Sequence, residues 1–440
     1  MLKRQSKQRR RRGVFLSHTG WQRLQAAEHK FEVQENQGVP STLETLSAKT
    51  GLSPNTITKV RRQQAAVDRQ TLEIYFNAFD LALTAEDYQT LESTTSPPAT
   101  AEAIRGQVPL NSPFYISRPP LESLCYETMQ QPGALLHVRA PQQTGKTSLV
   151  TRTLLQAREN GLTTLIVSMR LADSAVTDSL ENFLRWFCAV VTRNLGLKNQ
   201  LSELWDPFLG NSFNCTAYFE QYLLAELDEP LILVLDDVDS LFEAPDIAVD
   251  FFSMLRVWHE IAKYGNESGN LWKMLRLILV HSHQIYSFDD VHVPLNFGVT
   301  LDLPNFTQIQ ISDLIERYGI GRADILAPKL AHFLGGRPNL VQLTLHALSQ
   351  KNLSIEELMQ TAVSPESVFA DHLLQCFKLL ERYSELLSSM RQLIQSNQPI
   401  LLPPLQSLQL VRLGLATCQN QKTQVHCQLY RAYFDSVLRQ

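Results

Sequence analysis

The chain has 440 residues, 44% of them hydrophobic and 19% charged, and a formal net charge of −4. At roughly 100–200 residues per domain this is a multi-domain chain of ordinary globular composition, which excludes collagen-like, mucin-like and acidic low-complexity classes. No stretch approaches the ~18 consecutive apolar residues of a membrane-spanning helix. Behind the basic start the apolar run is only Val14-Phe15-Leu16, too short for the core of a signal peptide, so export is not expected. The six cysteines, Cys125, Cys188, Cys215, Cys376, Cys418 and Cys427, form no CxxC pair. Their spacing speaks against a disulfide frame or a zinc site and fits a reducing, cytoplasmic setting.

In chain order, a charge asymmetry comes first. Lys3, Arg4, Lys7 and Arg9 to Arg12 place seven of the 40 Lys and Arg in the first 12 residues, which hold no acid. The rest of the chain is acidic overall. Residues 1–12 therefore read as a basic arm, serving either a polyanion or solubility. A small all-α domain is expected over 13–92. Within it, Leu46, Leu52, Ile57 and Val60 form a packing face around Gly51 and Ser53-Pro54 at helix-turn-helix spacing. Gly51 permits the tight turn, and Ser53-Pro54 caps and starts the second helix. That helix would present Asn55, Thr56, Thr58, Lys59, Arg61 and Arg62, residue types suited to base edges and phosphates. Contact with a protein partner is the competing reading. A polar, Pro-rich stretch from Ser93 reads as a linker over 93–110.

Beyond Pro113, short apolar runs alternate with longer helical segments, the pattern of a parallel α/β sheet. Strands are expected at Leu135 to Arg139, Thr163 to Met169, Pro230 to Leu235 and Leu275 to Val280, with helices at 146–159 and 176–196. The α/β core spans 111–303. A helical segment follows over 304–362, with helices at 307–318, 323–333, 338–350 and 354–361. The last region, 363–440, is helical and ends on an alternating stretch from Thr423 to Leu429. No internal repeat of fixed period is present.

The chemistry concentrates in two places. Ala140-Pro-Gln-Gln143-Thr144-Gly145-Lys146-Thr147 follows one expected strand and opens a helix, the phosphate-loop pattern with alanine at its first position. Gly145 lets successive backbone N–H groups turn toward a phosphate at a helix N-terminus, where Ser148 follows. Lys146 would reach the β and γ phosphates, and the Thr147 hydroxyl would ligate Mg²⁺. The second place is Leu231 to Asp239, an apolar strand ending in Asp236 and Asp237. Acids must emerge at the carboxyl end of such a strand, where ligands sit in open α/β sheets. Asp236 would hold Mg²⁺ and Asp237 would orient or deprotonate the attacking water. Many ATPases use Glu at that position; aspartate is one methylene shorter, so slow turnover is expected.

These motifs, with Phe114 to Glu122, Phe251 to Trp258, Leu275 to Ser282 and Leu334 to Gln342 in the same order, resemble the bacterial AAA-like domain ATPases of the STAND class of P-loop NTPases, over roughly 110–440. The resemblance implies ATP and Mg²⁺ as cofactors, an α/β P-loop core, a helical lid and a C-terminal winged-helix-like domain. It casts Ser282 as the sensor of the γ-phosphate or water, and Gly336-Arg337-Pro338 as the lid element that holds nucleotide. The family usually has His and Tyr around that proline, where this chain has Arg337 and Asn339. Arg118 and Glu122 would lie near the adenine. Arg256 is either an arginine finger or a surface ion-pair partner, and His281 and His283 fit packing roles better than a metal site.

The function expected is an ATP-binding, slowly hydrolysing signalling switch, without membrane association, that transmits its nucleotide state to an N-terminal module for DNA or an effector protein. ATP-dependent homo-oligomerisation is plausible by resemblance. The alternatives are a DNA-binding transcriptional regulator with a non-catalytic nucleotide domain, and an ATPase loader acting in transposition or DNA remodelling.

Overall fold

The computed structural model of the chain describes residues 14–34, 41–62, 67–84, 87–90, 106–264, 266–282, 297–350 and 354–438. The basic arm, His283 and most of the expected linker lie outside them. Two compact units are present, Met1–Ala101 and Glu102–Gln440.

The first unit runs β1 (Val14–Leu16), α1 (His18–Gln34), α2 (Leu43–Thr50), α3 (Pro54–Arg62), α4 (Arg69–Asn77) and β2 (Tyr88–Thr90). The expectation of an all-α unit needs correction, because β1 and β2 pair antiparallel, Val14 opposite Thr90. Strands of three residues are too short to show a period, so nothing in the pattern announced them. Leu24, Leu46, Ile57, Leu72, Tyr75 and Phe76 are fully buried and form the centre. Gly51 sits between α2 and α3 at φ +71°, donating its N–H to the Ser47 carbonyl. A left-handed residue closes the helix at little cost only where there is no Cβ.

The second unit begins with a lead-in segment and continues α5 (Leu121–Gln130), β3 (Leu135–Arg139), α6 (Lys146–Glu159), β4 (Thr163–Ser168), α7 (Leu180–Asn194), α8 (Leu201–Leu204), α9 (Asn211–Tyr218), β5 (Leu231–Asp236), α10 (Pro245–Ile261), α11 (Glu267–Trp272), β6 (Leu275–His281) and β7 (Val299–Asp302). The five strands form a parallel sheet in the order β4-β5-β6-β3-β7. Every residue of β5 and β6 is buried, as a strand covered on both faces requires. One face packs on α5 and α6 through Cys125, Met129, Leu149 and Leu154. Phe183, Phe187, Phe251, Trp258 and Trp272 cover the other, each contributing about 1.5–3 kcal/mol or more by leaving water. Edge strand β7 is additional to the expected strands. Of its four residues only Leu301 is buried, which leaves no apolar run to read.

The chain then forms α12 (Gln308–Arg317), α13 (Ala323–Leu334), α14 (Pro338–Ser349), α15 (Ile355–Gln360), α16 (Ala370–Glu381), α17 (Ser384–Gln395), β8 (Ile400–Leu401), α18 (Pro404–Arg412), β9 (Ala416–Gln419), β10 (Lys422–Val425) and α19 (Gln428–Leu438). Capping boxes start α12 (Thr307 with Gln310) and α15 (Ser354 with Glu357), satisfying orphan N–H groups at each end. Strands β8, β10 and β9 make a small antiparallel sheet. The alternating stretch from Thr423 therefore ends at Val425, and Leu429 already belongs to α19.

Candidate functional site

Because all five strands run parallel, their carboxyl ends share one edge, and the loop from Ala140 to Gly145 turns there between β3 and α6. Gln143 and Gly145 adopt φ of +61° and +96°. A Cβ on Gly145 would also lie 3.2 Å from the Arg118 guanidinium, so the backbone angle favours glycine and the space beside it is tight. Lys146 folds back over the loop, its ammonium donating to the Ala140 and Pro141 carbonyls at 3.0 and 3.2 Å. Burial lowers its pKa, offset first by Asp239 and then by Asp236 and Asp237. Thr144 is buried and donates to the Pro141 carbonyl at 2.7 Å. Ser148, also buried, accepts the Val108 N–H at 2.9 Å, which ties the lead-in segment to α6.

The carboxylates arrive from β5. Asp236 ends that strand, and its Oδ2 accepts the Thr147 hydroxyl at 3.2 Å. Its pKa is raised by burial and by the neighbouring Asp237. Asp237 takes the left-handed backbone at φ +55° and pairs with Arg170 at 3.1 Å. Strand β6 lies between β5 and β3, and this order places Ser282 between the phosphate loop and the carboxylates. Ser282 is buried, with both its N–H and its hydroxyl donating to Asp239 Oδ2, at 2.6 and 2.5 Å.

A cavity of about 250 Å³ opens beside the loop, lined among others by Arg118, Gln143, Gly145, Ser148, Phe306 and Pro338. Its far wall starts at the turn before α14. Gly336, at φ +69°, sits so close to Phe306 that a Cβ would fall 2.3 Å from the Phe306 carbonyl oxygen, and Phe306 donates its N–H to the Gly336 carbonyl at 2.8 Å. Pro338 then opens α14, where a missing N–H costs nothing. Asn339 donates to the Gln143 side chain at 2.6 Å.

A family model described as an AAA-like domain matches residues 103–436. The chain belongs to the AAA-like domain family. No curated protein matches it. Among solved structures, the Walker-type ATPase paby2304 of Pyrococcus abyssi is similar with a TM-score of 0.52 and 12% identity, over 76% of this chain and 99% of that chain. That likeness is one of fold: a central parallel sheet with flanking helices, as in P-loop NTPases. AMPPCP-bound DnaA from Aquifex aeolicus aligns at a TM-score of 0.34 and 13% identity, over 61% of this chain and 72% of that chain, too slight a likeness to argue from.

Other residues singled out in the sequence of this AAA-like chain lie partly in the cavity and partly away from it. Arg118 does line the cavity, but its guanidinium donates to the Thr144 carbonyl at 2.7 Å and stacks over Phe306 at 4.8 Å. Glu122 does not line it; its carboxylate accepts the Arg118 N–H at 2.7 Å and the Tyr115 hydroxyl at 2.8 Å, pinning the lead-in segment. Arg256 is half-exposed and pairs with Glu260 at 2.9 Å. His281 is buried edge-to-face on His137, 5.6 Å between centroids. In the N-terminal unit Lys59 is exposed, Thr56 N–H bonds the Ser53 hydroxyl at 3.2 Å, and Arg61 turns onto Trp21 and Glu28. The backbones of Asn55 and Arg62 lie in α3.

Two further residues of the site, Asp239 and Arg337, have no assigned role in the sequence reading. Asp239 is the third acid of the run Asp236-Asp237-Val238-Asp239, and its place in that run was the only signal. Buried Arg337 donates to the Gln142 carbonyl at 3.1 Å and the Gly414 carbonyl at 3.4 Å, joining the phosphate loop to the turn after α18. Sequence marked it only as a departure from the family pattern.

Proposed function

We propose that this chain is an ATP- and Mg²⁺-binding switch of the STAND class, with slow hydrolysis. The carrying observation is that the Thr147 hydroxyl meets the Asp236 carboxylate and Lys146 folds onto the Ala140 carbonyl, on the loop whose Gln143, Gly145 and Ser148 line a cavity with Pro338. Thr147 and Asp236 fit a Mg²⁺ site, because this ion commonly takes only one or two protein oxygens and completes its shell with water and substrate phosphates. Bound there, the ion would neutralise phosphate charge; the raised pKa of Asp236 marks a carboxylate that gains from a nearby cation. In this reading 304–362 is the lid and 363–440 the winged-helix-like domain. ATP draws both onto the sheet through the 336–338 turn, and the change passes to the helix-turn-helix module. A ligand shifts such an equilibrium only by its differential affinity for the two states.

The module's partner is DNA or an effector protein. The engagement of Arg61 with Trp21 and Glu28 supports protein contact for that part of α3, while exposed Lys59 and the basic arm support DNA. Limited proteolysis with and without ATP and Mg²⁺ tests the switch. Wild type should become protected between the core and 304–440 when ATP is added, and Lys146→Ala should not. Identical fragments under all conditions would sink the switch.

A further inference from the structure

Asp237 occupies the position from which many such ATPases direct water, yet its carboxylate is drawn to Arg170 on the exposed side. The buried carboxylate is Asp239, with Oδ2 holding both donors of Ser282 and Oδ1 buried without a hydrogen-bond partner among the described residues. The geometry has a chemical consequence. A serine has one hydroxyl proton, and here it is committed to Asp239, so Ser282 offers the site lone pairs only. It is therefore unsuited to donating to a γ-phosphate oxygen and suited to accepting a proton from water. Ser282 lines a cavity of about 90 Å³ with Gln142 and Arg337. Asp239 lines a polar cavity of about 590 Å³ that also takes in Gln142 and Asp237. The pair thus borders two cavities, both of which Gln142 of the phosphate loop also lines.

We propose that Asp239 is the positioning residue for the attacking water, acting through Ser282. This rests on reading the site as one for ATP. The water's oxygen forms the bond to the γ-phosphorus, and the bond to the β,γ-bridging oxygen breaks with its electron pair left on ADP. One water proton stays on the released phosphate. The other passes to Ser282 Oγ as the serine's own proton moves to Asp239 Oδ2. Lys146 on α6, Asp237 after β5, His281 on β6 and Arg337 before α14 are charged or titratable groups around the pair. Asp239 is held at about 6 by burial foremost, countered by the Ser282 hydrogen bonds and Lys146, within reach of such a proton.

The test compares wild type with Asp239→Asn, Ser282→Ala, the double variant and Asp237→Asn, measuring steady-state ATP turnover with Mg²⁺, labelled-ATP binding and thermal melting. Residues acting as a unit are non-additive. Each single change at 239 or 282 should lower kcat about tenfold or more with KM and Kd within about threefold, and the double variant should be no slower than the slower single. Asp237→Asn should cost less. Additive losses, or turnover that survives Asp239→Asn and vanishes in Asp237→Asn, would overturn the assignment. Wild type that binds ATP without turning it over would also overturn it while leaving the site reading intact. Wild type that binds no ATP would remove the site reading itself.

Discussion

The Thr147 hydroxyl reaches the Asp236 carboxylate across 3.2 Å although 89 residues separate them in the chain. Two strands of one parallel sheet bring the first turn of α6 and the end of β5 to the same edge. If those oxygens share Mg²⁺ with the phosphates, Asp236→Asn should weaken ATP binding about tenfold or more in Mg²⁺ and little in chelator. Equilibrium binding of labelled ATP in the two buffers reads this directly; equal losses in both would mean Asp236 acts on the loop's structure.

Asp239 also predicts a pH dependence of stability. Its folded-state pKa of about 6 lies above the ordinary 3.8, chiefly through burial. Ionising it therefore costs folding free energy; this cost is absent below the unfolded value and complete above the folded one. Asp239→Asn should raise the nucleotide-free protein's Tm, with a stabilisation of order 2–3 kcal/mol near pH 8 that shrinks by roughly half near pH 5. Thermal melts at both pH values check it, and a gain independent of pH would contradict it.

Much of the site was legible because its residues obey local rules. The bounds of β3 and α6 follow from an apolar run, a glycine and a helix start, and the structure has both at the residues expected. Strand β5 takes in Asp236, one residue beyond the expected end, since the acid still bonds within the fold. What remained hidden depends on contacts distant in sequence. Nothing local tells that Arg337 will span Gln142 and Gly414, or that Ser282 will bond Asp239. Edge strand β7 escaped because three of its four residues are exposed.

The turn before α14 should be intolerant of side chains. Gly336→Ala puts a Cβ against the Phe306 carbonyl in a left-handed backbone. The expected cost is of order 1–3 kcal/mol, and ATP binding should weaken as Pro338 and Phe306 shift along the cavity wall. Melting and binding on the same sample test both; unchanged binding with lowered Tm would separate the turn from the cavity.

In the N-terminal unit, Arg61 and Lys59 should behave differently. Arg61→Ala removes the guanidinium from Trp21 and from the buried Glu28, costing about 1 kcal/mol of stability. Lys59→Ala, at an exposed position, should leave stability within about 0.5 kcal/mol and weaken only the binding of a charged partner. Thermal melts of both variants decide, and equal losses would contradict the assignment.

The central claim is that the loop at 140–147 binds ATP with Mg²⁺. Labelled-ATP binding by wild type and Lys146→Ala at low protein concentration tests it most directly. Saturable binding by wild type, lost in the variant, is the predicted result. Absence of binding by both, or equal binding by both, would contradict the account.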